Sequence, residues 1–412
     1  ELFEQRNAQE LLKLAFDLEF DFIYVLADME SNGIKIDVNL LKKLKEINSV
    51  YIQELTNKIY ETSGAEFNIN SPKQLGIVLF ETLGLSAGKK TKTGYSTDEA
   101  VLSSLFDAHD VIPLLLNYRE AYKLQSTYIE PLLELGLKNE DNRIHTSFLH
   151  TGTATGRLSS KNPNLQNIPV KSEAGSQIRS AFIPENGYTL VGIDYSQIEL
   201  RLLAHFSGDE ALVNAFNNDL DIHYQTAVKI FGEDEAKDKR SIAKSINFGL
   251  LYGMGSKKLG DTLGISSKDA KIYIESYFKA FKSVKDYLKS VEDFAHVNGY
   301  IKTLLNRKRL FNFDSANAMI KAAYLREAVN TMFQGSAADL IKLSMVEIHK
   351  KYKNNNNVRM LLQIHDELIF EIKEDIADEI IKELKEIMEN VYKLNIPLKV
   401  SIARGNSWQK LK

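Results

Sequence analysis

Apolar residues recur every three to four positions along most of this chain, and short continuous apolar runs interrupt that rhythm in only a few places. The helical spacing predicts a helix from Ala8 to Met29, broken at Asn32-Gly33, and two longer ones around Val38 to Ser63 and Ala108 to Leu135. The stretch from about Glu199 to Arg326 is mostly helical, and Ser266-Ser267-Lys268-Asp269 within it resembles a capping box opening a long helix that stops near Gly299. Another helix is predicted from about Ala318 to Lys350. By contrast, Tyr188 to Asp194 is short, apolar and partly β-branched, which reads as a buried strand with Asp194 at its end. Arg359 to Ile364 and Leu368 to Ile372 read as two further strands. His365-Asp366-Glu367 joins them as a tight acidic connection, with Asp366 at the tip.

One helical segment carries chemistry in its polar positions. Arg240, Lys244, Phe248 and Tyr252, followed by Gly253, stand at steps of four, which places them on one slowly drifting stripe. Two cations followed by two rings suit a triphosphate at one end and a sugar and base at the other. The spacing alone fits an amphipathic helix with a basic solvated edge equally well. A second stripe, Arg326, Asn330 and Gln334, repeats the spacing. Amides and a guanidinium on one face suit the duplex minor groove, where every base pair offers acceptors at similar places. A polar edge on a buried helix is the alternative.

Asp194 and Asp366 are the candidate metal carboxylates. Turn acids are usually solvated or bonded to their own backbone, which is the plain reading of Asp366 alone. Two acids brought to about 4 Å would repel by roughly 4 kcal/mol at an effective dielectric of 20. Divalent cations relieve that repulsion, and hard oxygen ligands favour Mg²⁺. Two such ions suit an in-line phosphoryl transfer.

Composition narrows the classes. The chain has 412 residues, 44% hydrophobic and 26% charged, which is long enough for more than one domain or subdomain. No apolar run approaches transmembrane length, and no signal peptide is expected. Without cysteine there is neither a disulfide nor a thiolate metal site. The net charge of −3 is unevenly placed: six cations against Asp238 between Lys237 and Lys258, and a solvated acidic face, Asp378 to Glu389, further on. A basic groove on an acidic body fits a selective phosphate binder. Gly84 and Gly88 enclose three residues where a P-loop needs four, so Gly88 to Gly94 is read as a basic loop touching a DNA backbone. Gly253, Gly255 and Gly260 follow no strand, and they are expected to end the stripe-bearing helix and permit a hinge. Trp408 is expected to be a packing anchor and Asn354 to Asn357 a surface loop.

Further motifs add to these: Thr153 to Ser160 (TATGRLSS), Pro163 to Pro169 (PNLQNIP), Asp194 to Arg201 (DYSQIELR), Asp221-Ile222-His223 and Gln363 to Glu367 (QIHDE). In this order, and together with the first stripe, they resemble the family A DNA polymerases over essentially the whole chain. The resemblance implies an α+β right-hand fold: a palm with an antiparallel sheet, helical fingers and a helical thumb. The implied division is 1–34, an N-terminal helical segment packing on the palm; 35–144, thumb; 145–198, first part of the palm; 199–326, fingers; and 327–412, second part of the palm. It implies DNA-templated addition of deoxynucleotides to a primer 3′-hydroxyl by two-metal-ion nucleotidyl transfer. The implied partners are primer–template DNA and dNTPs, and the cofactor is two Mg²⁺ ions, with Mn²⁺ as a substitute. The protein would act as a monomer off the membrane, in the cytoplasm at the nucleoid if bacterial, or in an organelle if eukaryotic.

The resemblance also implies residue roles. Asp194 and Asp366 hold the metals, with Tyr195 as a further metal contact and the Val191-Gly192 backbone as an extra oxygen source. Arg240 and Lys244 bind the triphosphate, and Lys244 also protonates the leaving pyrophosphate. Gln197 and His223 are further contacts to phosphates and sugar. Phe248 packs on the incoming sugar, Tyr252 lies near the template base, and Glu199 resembles the steric gate against a 2′-hydroxyl. Glu367 joins the catalytic set close to the primer terminus. Arg157, Gln166 and Asn167 accompany Arg326, Asn330 and Gln334 on the DNA, as does His365, which otherwise serves only to orient its turn.

The segment Leu305 to Leu310 departs from the family pattern in lacking a glycine and a proline, though its basic cluster still suggests phosphate contact. The acid pairs Asp17/Glu19 and Asp28/Glu30 lie in helical patterns and point apart, so no proofreading exonuclease is expected. The start at Glu1 suggests a fragment of a longer chain. Two rival readings are a reverse transcriptase or single-subunit RNA polymerase, and a catalytically silent primer–template binding module. Glu199 speaks against the first and the acidic pair against the second.

Overall fold

The computed structural model describes residues 6–86, 90–91, 94–169 and 173–411. Its centre is a four-stranded antiparallel sheet of β1 (Tyr188–Tyr195), β2 (Val358–Ile364), β3 (Glu367–Lys373) and β4 (Val400–Gly405), in the order β2-β3-β1-β4. Helices surround it, so the class is α+β as expected. The helices that matter here are α1 (Phe20–Asn32), α2 (Val38–Ser63), α3 (Val111–Lys123), α4 (Ile198–Ser207), α5 (Ile222–Phe231), α6 (Arg240–Leu251), α7 (Ala318–Asn330), α8 (Ser336–Tyr352) and α9 (Ala377–Asn390).

Strand β1 is central, and its near-continuous apolar run follows from burial on both faces. One face meets α8 and α9: the Tyr195 hydroxyl donates to the Met388 carbonyl at 2.6 Å and lies 2.7 Å from Ser344 Oγ. The opposite face is covered by the C-terminal turn, where Leu411 lies over Gly192. Helix α1 packs beside β2, and Asn32 Nδ2 donates to the Met360 carbonyl at 3.2 Å. The main core runs from α1 through the sheet and into α5 to α8. A separate core, including Leu55, Ile59, Leu75 and Leu115, lies between the distal part of α2 and α3.

Several boundaries differ from the sequence expectation. The β2–β3 connection is a two-residue turn, His365-Asp366, because Glu367 already pairs in β3. The helix opened by Ser266 ends at Ala280, and a second spans Lys282–Asn298; Phe281, at φ −120° and ψ 69°, breaks the run. The predicted helices from Ala8 and Ala318 each contain a wide π-type turn, at Ala15–Glu19 and Thr331–Gly335. The α6 helix ends at Tyr252-Gly253 as expected, with Gly253 at φ +66°. Gly260, however, lies inside the next helix, where its missing Cβ lets the Ile265 carbonyl approach. The predicted basic loop Gly88 to Gly94 falls largely outside the described residues.

Candidate active site

The sheet register brings the two predicted carboxylates to neighbouring positions. Asp194 stands opposite Glu367, and the Tyr195 amide donates to the Asp366 carbonyl at 3.1 Å. Adjacent strands lie about 4.8 Å apart, so Asp194 and Asp366 share one edge of the site. Asp194 is exposed and Asp366 half-buried. Two strained residues flank them: Gln197 and His365, both at positive φ, whereas the other non-glycine residues with positive φ among those described are Asn or Asp.

Arg157 ties this edge to the helical side. Its Nη2 donates to Glu199 Oε1 at 2.7 Å and lies 3.5 Å from Asp366 Oδ1. Glu199 is 4% exposed, and burial raises its pKa against the pull of Arg157. Burial likewise raises Asp366, again opposed by Arg157 and by His365. The Tyr252 hydroxyl is raised by burial and then by Glu199, with Asp366 contributing. Thus Asp366, Arg157, Glu199 and Tyr252 form one electrostatic unit, and Tyr252 is the last residue of the stripe on α6.

Along that stripe Arg240, Lys244 and Tyr252 are exposed and Phe248 is half-buried. Arg240 Nε donates to Asp221 Oδ2 at 2.6 Å. Asp221 also caps α5, accepting from the amides of His223 at 3.0 Å and Tyr224 at 3.1 Å. His223 lies under the stripe, not on it. It is 2% exposed, Asn247 Nδ2 donates to its Nδ1 at 3.1 Å, and its ring centroid is 5.7 Å from that of Phe248. Burial lowers its pKa to about 4, with Arg240 and Lys244 adding to the depression against Asp221. A neutral, enclosed imidazole supports Phe248; the expected contact with phosphate or sugar is not presented at the surface.

The second stripe meets the first where Arg326 packs over Gly253, whose absent Cβ would lie 2.8 Å from Arg326 Cγ. Arg326 is exposed, while Asn330 and Gln334 are half-buried, and Asn330 Oδ1 is buried without a partner. Gln166 donates through Nε2 to the Gln363 carbonyl at 3.0 Å, so it is braced against β2. Asn167 is exposed, and its carbonyl accepts from the Tyr128 hydroxyl at 2.6 Å.

Further expectations are narrowed or corrected. The Tyr195 phenol points into the helices, and burial raises its pKa, so only its main-chain oxygen is left to serve a metal. The Val191 and Gly192 carbonyls belong to a strand bonded on both edges and are no spare oxygen source. The basic cluster Arg307-Lys308-Arg309 turns inward. Arg307 pairs with Glu19 and Asp339, Arg309 with Glu327, and Lys308 lies 3.7 Å from the centre of the Tyr300 ring. Glu367 is buried, at 7% exposed. Its Oε1 lies against Gly192, where a Cβ would stand at 2.6 Å, and it interacts electrostatically with Arg179, whose guanidinium is 4.3 Å from the centre of Trp408.

Asp221 and Asn247 carried no assigned role in the sequence, and Arg307 carried a different one, phosphate contact. Asp221 was legible as an N-cap, an Asp directly before the first residue of α5; the others are visible only through contacts between distant segments.

Among the described residues, no group of three or more His, Cys, Asp or Glu side chains converges as a metal cage. Two carboxylates and one main-chain oxygen form a sparse, hard donor set. Mg²⁺ keeps several waters and takes substrate phosphates, so this set fits it better than a cation needing a full protein shell. No helix among the described residues is long and apolar enough to cross a membrane.

The model of DNA polymerase family A matches residues 38–410. DNA polymerase I of Helicobacter pylori strain J99 is 52% identical over 100% of this chain and 46% of its own length. DNA polymerase I of Bacillus subtilis strain 168 is 45% identical over 100% of this chain and 47% of its own length. The chain therefore spans under half the length of these curated relatives. A solved structure, the POL domain of Pol1 from M. smegmatis in complex with DNA primer-template and dNTP, is 41% identical with a TM-score of 0.90, covering 97% of this chain and 71% of that one.

Proposed function

The chain belongs to DNA polymerase family A, and from that membership we propose that it extends a primer 3′ end on a DNA template with deoxynucleotides, releasing pyrophosphate. The observation that carries the reading is the continuous unit from Asp366 through Arg157 and Glu199 to Tyr252, which joins the acidic edge of the sheet to the cationic, ring-bearing helix.

In the proposed reaction the primer 3′-oxygen bonds to the α-phosphorus, its proton passes to water, and the bond from that phosphorus to the pyrophosphate oxygen breaks. Asp194 and Asp366 would hold two Mg²⁺ ions, for which Mn²⁺ can substitute, and bound metal favours the ionised 3′-oxygen and neutralises charge on the leaving group. Arg240 and Lys244 bind the β- and γ-phosphates, with Arg240 exchanging Asp221 for the nucleotide. Lys244, exposed on the same helix, gives a proton to the departing pyrophosphate. Phe248 stacks on the sugar, Tyr252 borders the template base, and Gln197 lines the sugar side. Glu199, buried beneath, fills the space a 2′-hydroxyl would need. Arg326, Asn330, Gln334, Gln166, Asn167, Arg157 and His365 line the minor groove of the new duplex.

The proposal includes no exonuclease in these residues. Its support is that Glu19 is committed to His150, Arg307 and Lys342, Asp28 to His349, and Glu30 to the Phe148 amide. Glu199 favours dNTPs over the RNA-polymerase reading. Primer extension with Mg²⁺ by the natural chain and by Asp194→Ala tests the whole: the variant should lose nearly all extension, and equal extension by both would overturn the metal assignment. Comparing dNTP with rNTP incorporation separates the RNA-polymerase reading.

A further inference from the structure

Arg157 sits in a segment with little internal structure of its own. The stretch Thr153 to Leu158 holds together through a Gly156 amide bond to the Thr153 carbonyl at 3.4 Å and a Thr153 hydroxyl bond to the Arg157 carbonyl at 2.8 Å. Such a loop cannot by itself fix a guanidinium between two carboxylates.

The constraint comes from outside. The Arg307 side chain lies directly on Gly156, where a Cβ would stand 2.7 Å from both Arg307 Cδ and Nε. Arg307 is itself pinned: its Nε donates to Asp339 Oδ1 at 2.8 Å, and its Nη2 pairs with Glu19. Asp339 is fully buried and also accepts from the Thr303 hydroxyl, and Thr303 Oγ1 accepts from the Arg307 amide at 3.0 Å. Lys342, 2% exposed, lies 3.3 Å from Glu19, which His150 also meets. On the other side, Gly335 brings its backbone close to the Thr155 carbonyl, where a Cβ would stand at 3.1 Å. The two π-type turns Ala15–Glu19 and Thr331–Gly335 end at these contacts, one supplying Glu19 and the other Gly335. Two segments distant in sequence, carrying Arg307 and Gly335, thus close on Thr155-Gly156, and Glu19 and Asp339 hold the first of them.

We infer that Arg307 is a positioning residue: the buried ion cluster holds its side chain over Gly156 and thereby sets the angle at which Arg157 reaches Glu199 and Asp366. The inference rests on the reading that Arg157 serves the polymerase site. It assigns Arg307 no contact with substrate or phosphate, although it is the basic residue a reader of the sequence would send to the DNA. Placement errors of about 1 Å cost orders of magnitude in rate at a constrained site, so a displaced Arg157 should show in turnover before it shows in binding.

The test uses the chain with primer–template DNA, dNTP and Mg²⁺, comparing Arg157→Ala, Arg307→Lys, Arg307→Ala, Gly156→Ala and the double variant Gly156→Ala/Arg307→Ala. Single-turnover rates are corrected for the fraction of active sites, and DNA affinity is measured across salt. Arg307→Ala should lower the rate about tenfold with Arg307→Lys partly restoring it, while KM for dNTP changes about twofold or less. The salt slope of DNA binding should be unchanged, whereas loss of a phosphate contact reduces that slope by about one. Gly156→Ala should cost about tenfold alone but little in the Arg307→Ala background, because the contact it disturbs is already gone. Should Arg307→Ala fail to fold, Gly156→Ala decides the matter against Gly187→Ala, which has a similar φ of +80° and nothing within 4 Å of its added Cβ. Equal, mild effects of those two glycine variants would overturn the inference, as would additive losses in the double variant or a reduced salt slope. A full rate for Arg157→Ala would remove the underlying reading. A slow Arg157→Ala beside near-normal Arg307 and Gly156 variants would remove only the inference.

Discussion

The pairing of Arg240 with Asp221 makes the nucleotide site self-competing, and Asp221→Asn measures the competition. Arg240 Nε and Asp221 Oδ2 are 2.6 Å apart, with 46% and 41% of the two side chains exposed. Ion pairs that open to solvent contribute about 0.2–1 kcal/mol, so freeing Arg240 should favour triphosphate binding by no more than that. At about 1.4 kcal/mol per tenfold, KM for dNTP should fall between about 1.4-fold and fivefold. The substitution is chosen because Asp221 also accepts from the His223 and Tyr224 amides as the N-cap of α5. Asn caps about as well as Asp, so Asp221→Asn should keep its melting temperature. Asp221→Ala loses the cap as well, at about 1 kcal/mol, which for 412 residues is a shift of only about 1 °C. Steady-state extension over a dNTP series at fixed, low salt gives KM and kcat, and calorimetry gives the melting temperature. A rise in KM for Asp221→Asn with unchanged kcat would refute the reasoning, since it would mean that Asp221 orients Arg240 for the nucleotide instead of competing with it.

Three further outcomes are expected. Lys244→Ala should raise KM for dNTP by at least about tenfold while changing DNA affinity less than about twofold, because a lost phosphate cation acts on the nucleotide it faces; the reverse ranking in paired extension and DNA-binding titrations removes its nucleotide role. Glu199→Ala should raise the ratio of rNTP to dNTP incorporation by at least about tenfold, since a buried side chain wedged between Arg157 and Tyr252 leaves a void when truncated; an unchanged ratio in single-nucleotide kcat/KM measurements removes the gate. Burial raises the Glu19 carboxyl, but His150, Lys342 and Arg307 together bring it down from 4.5 to about 2. Its stabilising contribution, roughly 3 kcal/mol, is therefore complete above about pH 4.5 and is lost as pH falls toward 2. Urea unfolding should show Glu19→Gln less stable at pH 7 and indistinguishable near pH 2, and a constant difference at both pH values would refute the linkage.

The sequence by itself determined the repeating local geometry. Steps of four put Arg240, Lys244, Phe248 and Tyr252 on one stripe because the helical period leaves no other choice, and the apolar run of β1 demanded a strand buried on both faces. Asp194 and Asp366 could be named as strand-end and turn acids from the same periodicities. Only the tertiary structure decided which segments meet. Nothing local tells whether Arg307 faces a phosphate or a buried carboxylate, because the same guanidinium serves both and the deciding partners, Glu19 and Asp339, are separated from it by 288 and 32 positions. The same holds for His223, whose place in its motif is visible but whose enclosure depends on Asn247 of another helix. Periodicity fixes which residues share a face; long-range packing fixes what that face touches, and side chains of identical chemistry acquire different tasks from that alone.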